Sequence, residues 1–358
     1  MPQKTLFQKY QELVLKIQKN PVHLVFGIIL FICFIVFLET HTLNTDYQKV
    51  SRTTLPRVSL PAGTFSLITE PDVGMTPVLN LINTATSSID LVMYEFDDTE
   101  IADALVAAKV RGVVVRVLLN QGYFDKVEGR NNTMYAYLQA HNIPVRATPK
   151  YFALTHQKSL VVDKNKALIM TFNFTPKYYA TGRDFGILDT DLNDVTSIEN
   201  VFESDWTNQK VLTNDADDLV WSPGSESDML LIINSAQKEL DIYNEEMADA
   251  RITQSLENAS KHGVNVNIIM TYQTPFKAAM QELKDSGVHL HLFHGEKGLY
   301  IHAKMIVADQ AYAFLGSENF SYGSLEQNRE LGIFLSDPEI VKSLIQTFSA
   351  DWQNARPF

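Results

Sequence analysis

The chain resembles itself. SSIDLVMYEFDDTEIADAL (87–105) returns as KELDIYNEEMADARITQSL (238–256) at an offset of 151 residues, and RGVVVRVLLN (111–120) returns as HGVNVNIIMT (262–271). Further on, HQKSLVVDKNKALIMTFNFTPKYYATGRDFGI (156–187) returns without a gap as HAKMIVADQAYAFLGSENFSYGSLEQNRELGI (302–333), at an offset of 146. A repeat of this length restricts the fold to two copies of one unit. Each copy reads as apolar strand, amphipathic helix, apolar strand, helix and two further strands. Strands alternating with helices predict an α/β fold, with layers built on mixed, mostly parallel sheets. The predicted units are 64–206 and 219–358, joined by a polar linker over 207–218.

The residues ahead of the repeats have a different character. Val22 to Leu38 carries no charge apart from any on His23, and its 17 residues match the short end of a membrane-spanning helix. No A-x-A-like cleavage site follows, so the stretch reads as a retained anchor rather than a signal peptide. The expected plan is a cytosolic segment over 1–21, a transmembrane anchor over 22–38 and a linker over 39–63. Four lysines before the span against three basic residues after it (Lys49, Arg52 and Arg57) place the N-terminus in the cytosol and the repeats on the extracytosolic side. The first 38 residues carry +3, so the remainder of a chain with net charge −12 carries −12 minus +3, or −15. That balance opposes general polyanion binding. Cys33 is the single cysteine, which excludes an intrachain disulfide and a cysteine-based zinc site.

The chemistry-bearing residues sit in the second repeated block. His156 and Lys158, two apart on a strand, share a face. A hairpin centred between Lys164 and Asn165 would set His156 opposite Asn173 and Lys158 opposite Thr171, and the second copy would set His302 opposite Asn319 and Lys304 opposite Ser317. Each hairpin thus gathers an imidazole, an ammonium, a hydroxyl and an amide, groups that suit a phosphate diester. Twenty-eight residues after each histidine stands a carboxylate, Asp184 or Glu330, able to orient an imidazole. A lone H-x-K on a strand is usually incidental; its repetition with matched polar residues is what lifts it above chance.

The pattern H-x-K-x4-D followed by G-S-x-N resembles the HKD motif of the phospholipase D superfamily. It stands here as HAKMIVADQAYAFLGSEN and, altered, as HQKSLVVDKNKALIMTFN. The resemblance covers roughly 64–355. It implies two halves packed about a pseudo-twofold axis with the motifs meeting in one site and, because both motifs are in a single chain, a monomer. It also implies a metal-independent, cofactor-free phosphoryl transfer in which one histidine attacks phosphorus and the other protonates the leaving alcohol. By motif match the catalytic set is His156, Lys158, Asp184, His302, Lys304 and Glu330, with Thr171, Asn173, Ser317 and Asn319 on the phosphate. Family precedent makes His156 the nucleophile and His302 the acid. Asp163 and Asp309 complete the motif and are expected to brace the strand end. Met170 and Thr171 replace the Gly-Ser pair in the first copy, adding bulk where backbone can approach a phosphate.

Other features carry weaker signals. Glu95 and Glu246 are matched by the repeat at the ends of the opening strands. His289, His291 and His294 alternate like metal ligands but have no carboxylate or cysteine beside them, so a surface role is the simpler reading. The aromatics of YFALT and KGLY, with Tyr178, Tyr179 and Arg183, are placed to line the approach. For the substrate, the leading expectation is hydrolysis of phospholipid at a membrane. The alternatives are a nuclease using the same site, a phosphatidyltransferase like the cardiolipin synthases, and an inactive module that binds anionic lipid.

Overall fold

Two mixed sheets carry the two repeats in a computed structural model that describes residues 52–56, 60–120, 130–210, 213, 218–294 and 298–358. The first repeat contributes β1 (Phe65–Glu70), α1 (Thr76–Asn83), β2 (Ser88–Met93), α2 (Thr99–Val110), β3 (Val114–Leu119), α3 (Arg130–Ala140), β4 (Val145–Ala147), β5 (Ser159–Val162), β6 (Lys166–Met170), α4 (Pro176–Tyr179), β7 (Gly182–Asp189) and α5 (Leu192–Thr207). The second contributes β8 (Leu219–Ser222), α6 (Glu226–Ser235), β9 (Glu239–Tyr243), α7 (Ala250–Lys261), β10 (Asn265–Thr271), α8 (Lys277–Asp285), β11 (His289–Phe293), β12 (Tyr300–Ile301), β13 (Lys304–Ala308), β14 (Tyr312–Gly316), α9 (Tyr322–Glu326), β15 (Glu330–Leu335), α10 (Pro338–Asn354) and β16 (Arg356–Pro357). The strand orders are β1-β7-β6-β5-β2-β3-β4, with β12 added on β7, and β16-β11-β10-β9-β13-β14-β15-β8.

The expectation of mostly parallel sheets is corrected. Among these strands parallel pairing is confined to β2-β3-β4, β9-β10-β11 and the short β12 on β7; β1, β5, β6 and β7 pair antiparallel with one another, as do β8, β13, β14 and β15. Helical crossovers allow parallel neighbours, whereas the short turns of each motif hairpin force antiparallel ones. The repeat shows at the helix starts too. Asp98 caps α2 and Asp249 caps α7, each accepting two backbone N–H bonds, and Asp191 and Asp337 cap α5 and α10, which satisfies amides that the first helical turn leaves without partners.

Both faces of the hairpin strands are buried. Leu160, Val162, Leu168 and Met170 face the core formed with α1 and α2. Val161, Ala167 and Ile169 face a core shared by both repeats, where they join Met305, Val307, Ala313 and Leu315. Continuous apolar runs reflect that double burial. Met170 therefore sends its bulk into the outer core.

The hairpin register differs from expectation by one residue. Val162 pairs with Lys166 and Ser159 with Ile169, and in the second copy Ala308 pairs with Tyr312 and Lys304 with Gly316. The predicted oppositions of His156 with Asn173 and of Lys158 with Thr171 are displaced accordingly, as are those of His302 with Asn319 and of Lys304 with Ser317. The cause is the motif aspartate. The Asp163 carboxylate accepts N–H bonds from Thr86, Ser87 and Ser88, and Asp309 accepts those of Gln237, Lys238 and Glu239. Reaching those amides takes each aspartate out of the ladder into a left-handed conformation, φ 53° and 52°, and leaves a three-residue turn. These bonds hold both carboxyls below their usual pKa against their partial burial.

The predicted segments 1–21 and 22–38 lie outside the described residues. No described helix is long and apolar enough to cross a membrane.

Candidate active site

The two repeats exchange their carboxylates. His156 Nδ1 lies 2.9 Å from Glu330 Oε2, and His302 Nδ1 lies 2.9 Å from Asp184 Oδ1. The backbone explains the crossing. The amides of His156 and Gln157 both donate to the Arg329 carbonyl, and those of His302 and Ala303 both donate to the Arg183 carbonyl. Each histidine is thereby fastened to the residue that precedes the other repeat's carboxylate. The same two arginines are buried and crossed as well: Arg329 pairs with Asp205 at 3.0 Å and Arg183 with Asp351 at 2.7 Å.

The carboxylates are themselves held. Glu330 Oε1 accepts from Ser324 Oγ at 2.7 Å and from Asn328 Nδ2 at 3.1 Å. Asp184 Oδ1 accepts from Thr171 Oγ1 at 2.5 Å, and that hydroxyl accepts in turn from the Phe185 amide. Ser317 Oγ accepts from the Leu331 amide and also hydrogen-bonds Glu330. Thr171 and Ser317, both fully buried, thus lie against the two carboxylates. Asn173 borders a cavity lined also by His302, Asp184 and Glu245, and its Oδ1 accepts from the Glu95 amide at 3.2 Å. Asn319 is buried, with no partner for its Oδ1.

The half-sites differ in their third wall. Tyr94 packs edge-on against the His156 ring, centroids 4.5 Å apart, and Lys158 Nζ lies 4.9 Å over the Tyr94 ring. At the position matched to Tyr94 stands Glu245, which bonds Lys304 Nζ at 3.0 Å and lies 3.6 Å from His302 Nε2. Sequence matching singled out the identical pair Glu95 and Glu246 and passed over the unlike pair one residue before it. The repeat offset was the available signal, because the positions that break a symmetry are where two half-sites acquire separate roles.

Burial lowers the His156 pKa, and the pull of Glu330 does not fully restore it. Burial also brings Lys158 down to about 7, with Glu330 raising it and Lys304 lowering it. Burial alone would raise Glu330, but His156 and Lys158 hold it below the ordinary carboxylate range. Glu245 is likewise pulled down, against its burial, by Lys304 and His302. The lowered pKa favours a neutral His156 ring, whose Nδ1 faces Glu330 and whose Nε2 points away from that carboxylate. His302 has acceptors beside both nitrogens, an arrangement suited to carrying a proton for delivery.

The remaining candidates fall elsewhere. Tyr178, Tyr179 and Tyr300 line the cavity, where Tyr179 also donates to Asp98, whereas Arg183 is buried in its ion pairs. Phe152 lies 4.2 Å from the guanidinium of Arg329. His291 stacks on Trp352, His294 on Tyr272, and His289 meets Asn267; among the described residues no three possible metal ligands come together.

Comparison with known proteins agrees with this geometry. The family model described as cardiolipin synthase, PLD-like domain, matches residues 78–206 and 229–352. Cardiolipin synthase 2 of Bacillus cereus is 26% identical over 87% of this chain. The chain spans 66% of the length of that relative. Among solved structures, a phosphatidylserine synthase from Haemophilus influenzae superposes with a TM-score of 0.68 at 16% identity, over 85% of this chain and 89% of that one. A polyphosphate kinase from Porphyromonas gingivalis gives 0.63 at 14% identity, over 85% and 51%. These two share the fold, and their different names show that the fold alone does not fix the reaction.

Proposed function

This chain belongs to the phospholipase D superfamily, and from that premise we propose that it is a phosphatidyltransferase of the cardiolipin synthase kind, moving a phosphatidyl group between phospholipid and alcohol through a phosphohistidine. The observation that carries the reading is the crossed pair of imidazole–carboxylate contacts in one body. His156 Nε2 attacks phosphorus, and the donor's P–O bond breaks as the P–N bond forms. His302 gives its proton to the departing oxygen. The acceptor hydroxyl then returns a proton to His302 while its oxygen displaces the His156 nitrogen. Lys158 and Lys304, with the amides of Asn173 and Asn319, balance charge on the non-bridging oxygens. Asp184 and Glu330 fix the ring tautomers.

Transfer is preferred to hydrolysis because the curated relatives matching most of this chain are named as synthases, and because both outcomes share one intermediate whose fate depends on whether an alcohol or water arrives. The apolar stretch 22–38 would hold the site at a lipid surface, on the extracytosolic side, where the local concentration of acceptor is high. The test is the full chain in vesicles carrying a phospholipid labelled in its phosphatidyl part, with a chelator present. A labelled diphosphatidyl or headgroup-exchanged lipid is expected. Phosphatidic acid as the sole product would make the protein a hydrolase, and a nicked single-stranded DNA with unchanged lipid would make it a nuclease.

A further inference from the structure

Glu70 is a carboxylate without an answer. It is 2% exposed and neither oxygen has a hydrogen-bond partner. It borders a pocket of about 110 Å³ beside His302, walled also by Glu95, Glu245, Tyr178 and Tyr300. Burial raises its carboxyl to about 7; the nearby Gly74 amide and Arg183 offset part of this, while Asp184 and Asp72 add to it. Asp184 and Glu245 already face His302 and Lys304. The Arg183 guanidinium does not hydrogen-bond the Glu70 side chain, since it bonds Asp351, Asp72 and the Glu70 carbonyl. Leaving a buried carboxyl without a donor is costly, and the cost is recovered when a ligand supplies one.

Carboxylates on this scale repel an anionic group. A neutral polyol can donate hydrogen bonds but brings no charge, whereas an ammonium brings both. The aromatic wall points the same way. The rings of Tyr178 and Tyr300 stack at 6.3 Å with an interplanar angle of 20°, and Tyr178 already carries the Lys177 ammonium 4.4 Å from its centroid, so this ring accepts a cation.

Resting on the transferase reading above, we propose that this pocket is the headgroup subsite and that it takes a protonated amino alcohol, with the ammonium held by Glu70 and the rings of Tyr178 and Tyr300 and the hydroxyl oxygen at His302. A phospholipid with an ethanolamine headgroup is then the phosphatidyl donor. Its P–O bond breaks as His156 bonds phosphorus, the alcohol oxygen takes the His302 proton, and the amino alcohol leaves through the pocket.

The test uses the full chain carrying His156→Ala, which cannot form the intermediate, titrated with glycerophosphoethanolamine and with glycerophosphoglycerol. The amine compound is expected to bind about tenfold tighter, and Glu70→Gln, near-isosteric, should remove that preference. Tyr178→Ala, at a partly exposed rim, should weaken it. Equal binding, tighter binding of the glycerol compound, or a preference that survives both variants would overturn the subsite. Absence of lipid transfer by the native chain alongside an intact amine preference would sink the transferase reading alone; transfer without that preference would sink the subsite alone.

Discussion

His156 Nδ1 and Glu330 Oε2 stand 2.9 Å apart although 174 residues separate them along the chain. Each repeat thus supplies the histidine of one half-site and the carboxylate beside the histidine of the other. Glu330→Gln should lower kcat by roughly 10²- to 10⁴-fold. The crossing has its own readout in the nitrogen resonances of the imidazoles: Glu330→Gln should move those of His156 and Asp184→Asn those of His302. Movement of the resonances of the same repeat's histidine instead would contradict the pairing.

Burial brings Lys158 down to about 7, and under the proposed mechanism this group is expected to set the alkaline side of the activity profile. Below that pH it is an ammonium able to neutralise a phosphate oxygen, and above it the charge is lost. His156 must be neutral, and because burial lowers its pKa the acid side extends below the usual imidazole range. A bell-shaped kcat/KM is expected, with its alkaline limb falling through about pH 7. Lys158→Arg, whose guanidinium stays charged, should show lower activity but no such limb. An unchanged alkaline limb in that variant would assign it to another group.

The repeat and the identity of the motif residues were legible in the sequence because matched side chains occupy matched environments. Asp163 and Asp309 show where that legibility ended. Strand parity places a residue on a face, yet the hairpin register was decided by amides more than 70 positions away, a contact no local pattern announces. The crossing of Glu330 and Asp184 was hidden for a similar reason: spacing along the chain gives a carboxylate 28 positions from each histidine but not which strand passes beside which ring. Glu245 and Tyr94 were hidden by the opposite fault, since a search for likeness between copies overlooks the positions that differ. Glu70, on β1 outside the matched blocks, had no repeat signal at all.

The buried, crossed ion pairs make a prediction about stability. Arg329 is fully buried and held by Asp205, and Arg183 by Asp351. Removing one partner leaves an uncompensated charge, so Asp205→Ala should cost about 3–5 kcal/mol. Replacing both partners together, as Arg329→Met with Asp205→Leu, should cost less than the single change. Urea unfolding monitored by the tryptophans measures this. A double replacement as damaging as the sum of its parts would show that the two side chains act separately.

Three aspartates buried where the first repeat ends and the second begins give a pH signature of the opposite kind. Burial raises the carboxyls of Asp189, Asp194 and Asp218, and each is raised further by the charge of a neighbouring aspartate. An acid whose folded-state pKa lies above its unfolded value binds a proton more tightly when folded. Its contribution to stability is therefore complete below about pH 4, the unfolded value, and is lost as pH rises through the folded values, about 6 for Asp218 and about 7 for Asp189. Other carboxylates, among them Asp163 and Glu330 with lowered values, produce the reverse trend in acid, so the cluster is best isolated by a difference. Asp194→Asn removes the charge and keeps the shape. It should stabilise the protein by roughly 1–2 kcal/mol at pH 8 relative to its effect at pH 5, read as the change in urea midpoint between native and variant chains. An asparagine variant with the same effect at both pH values would mean that these carboxyls share no proton in the native state and titrate as ordinary surface acids.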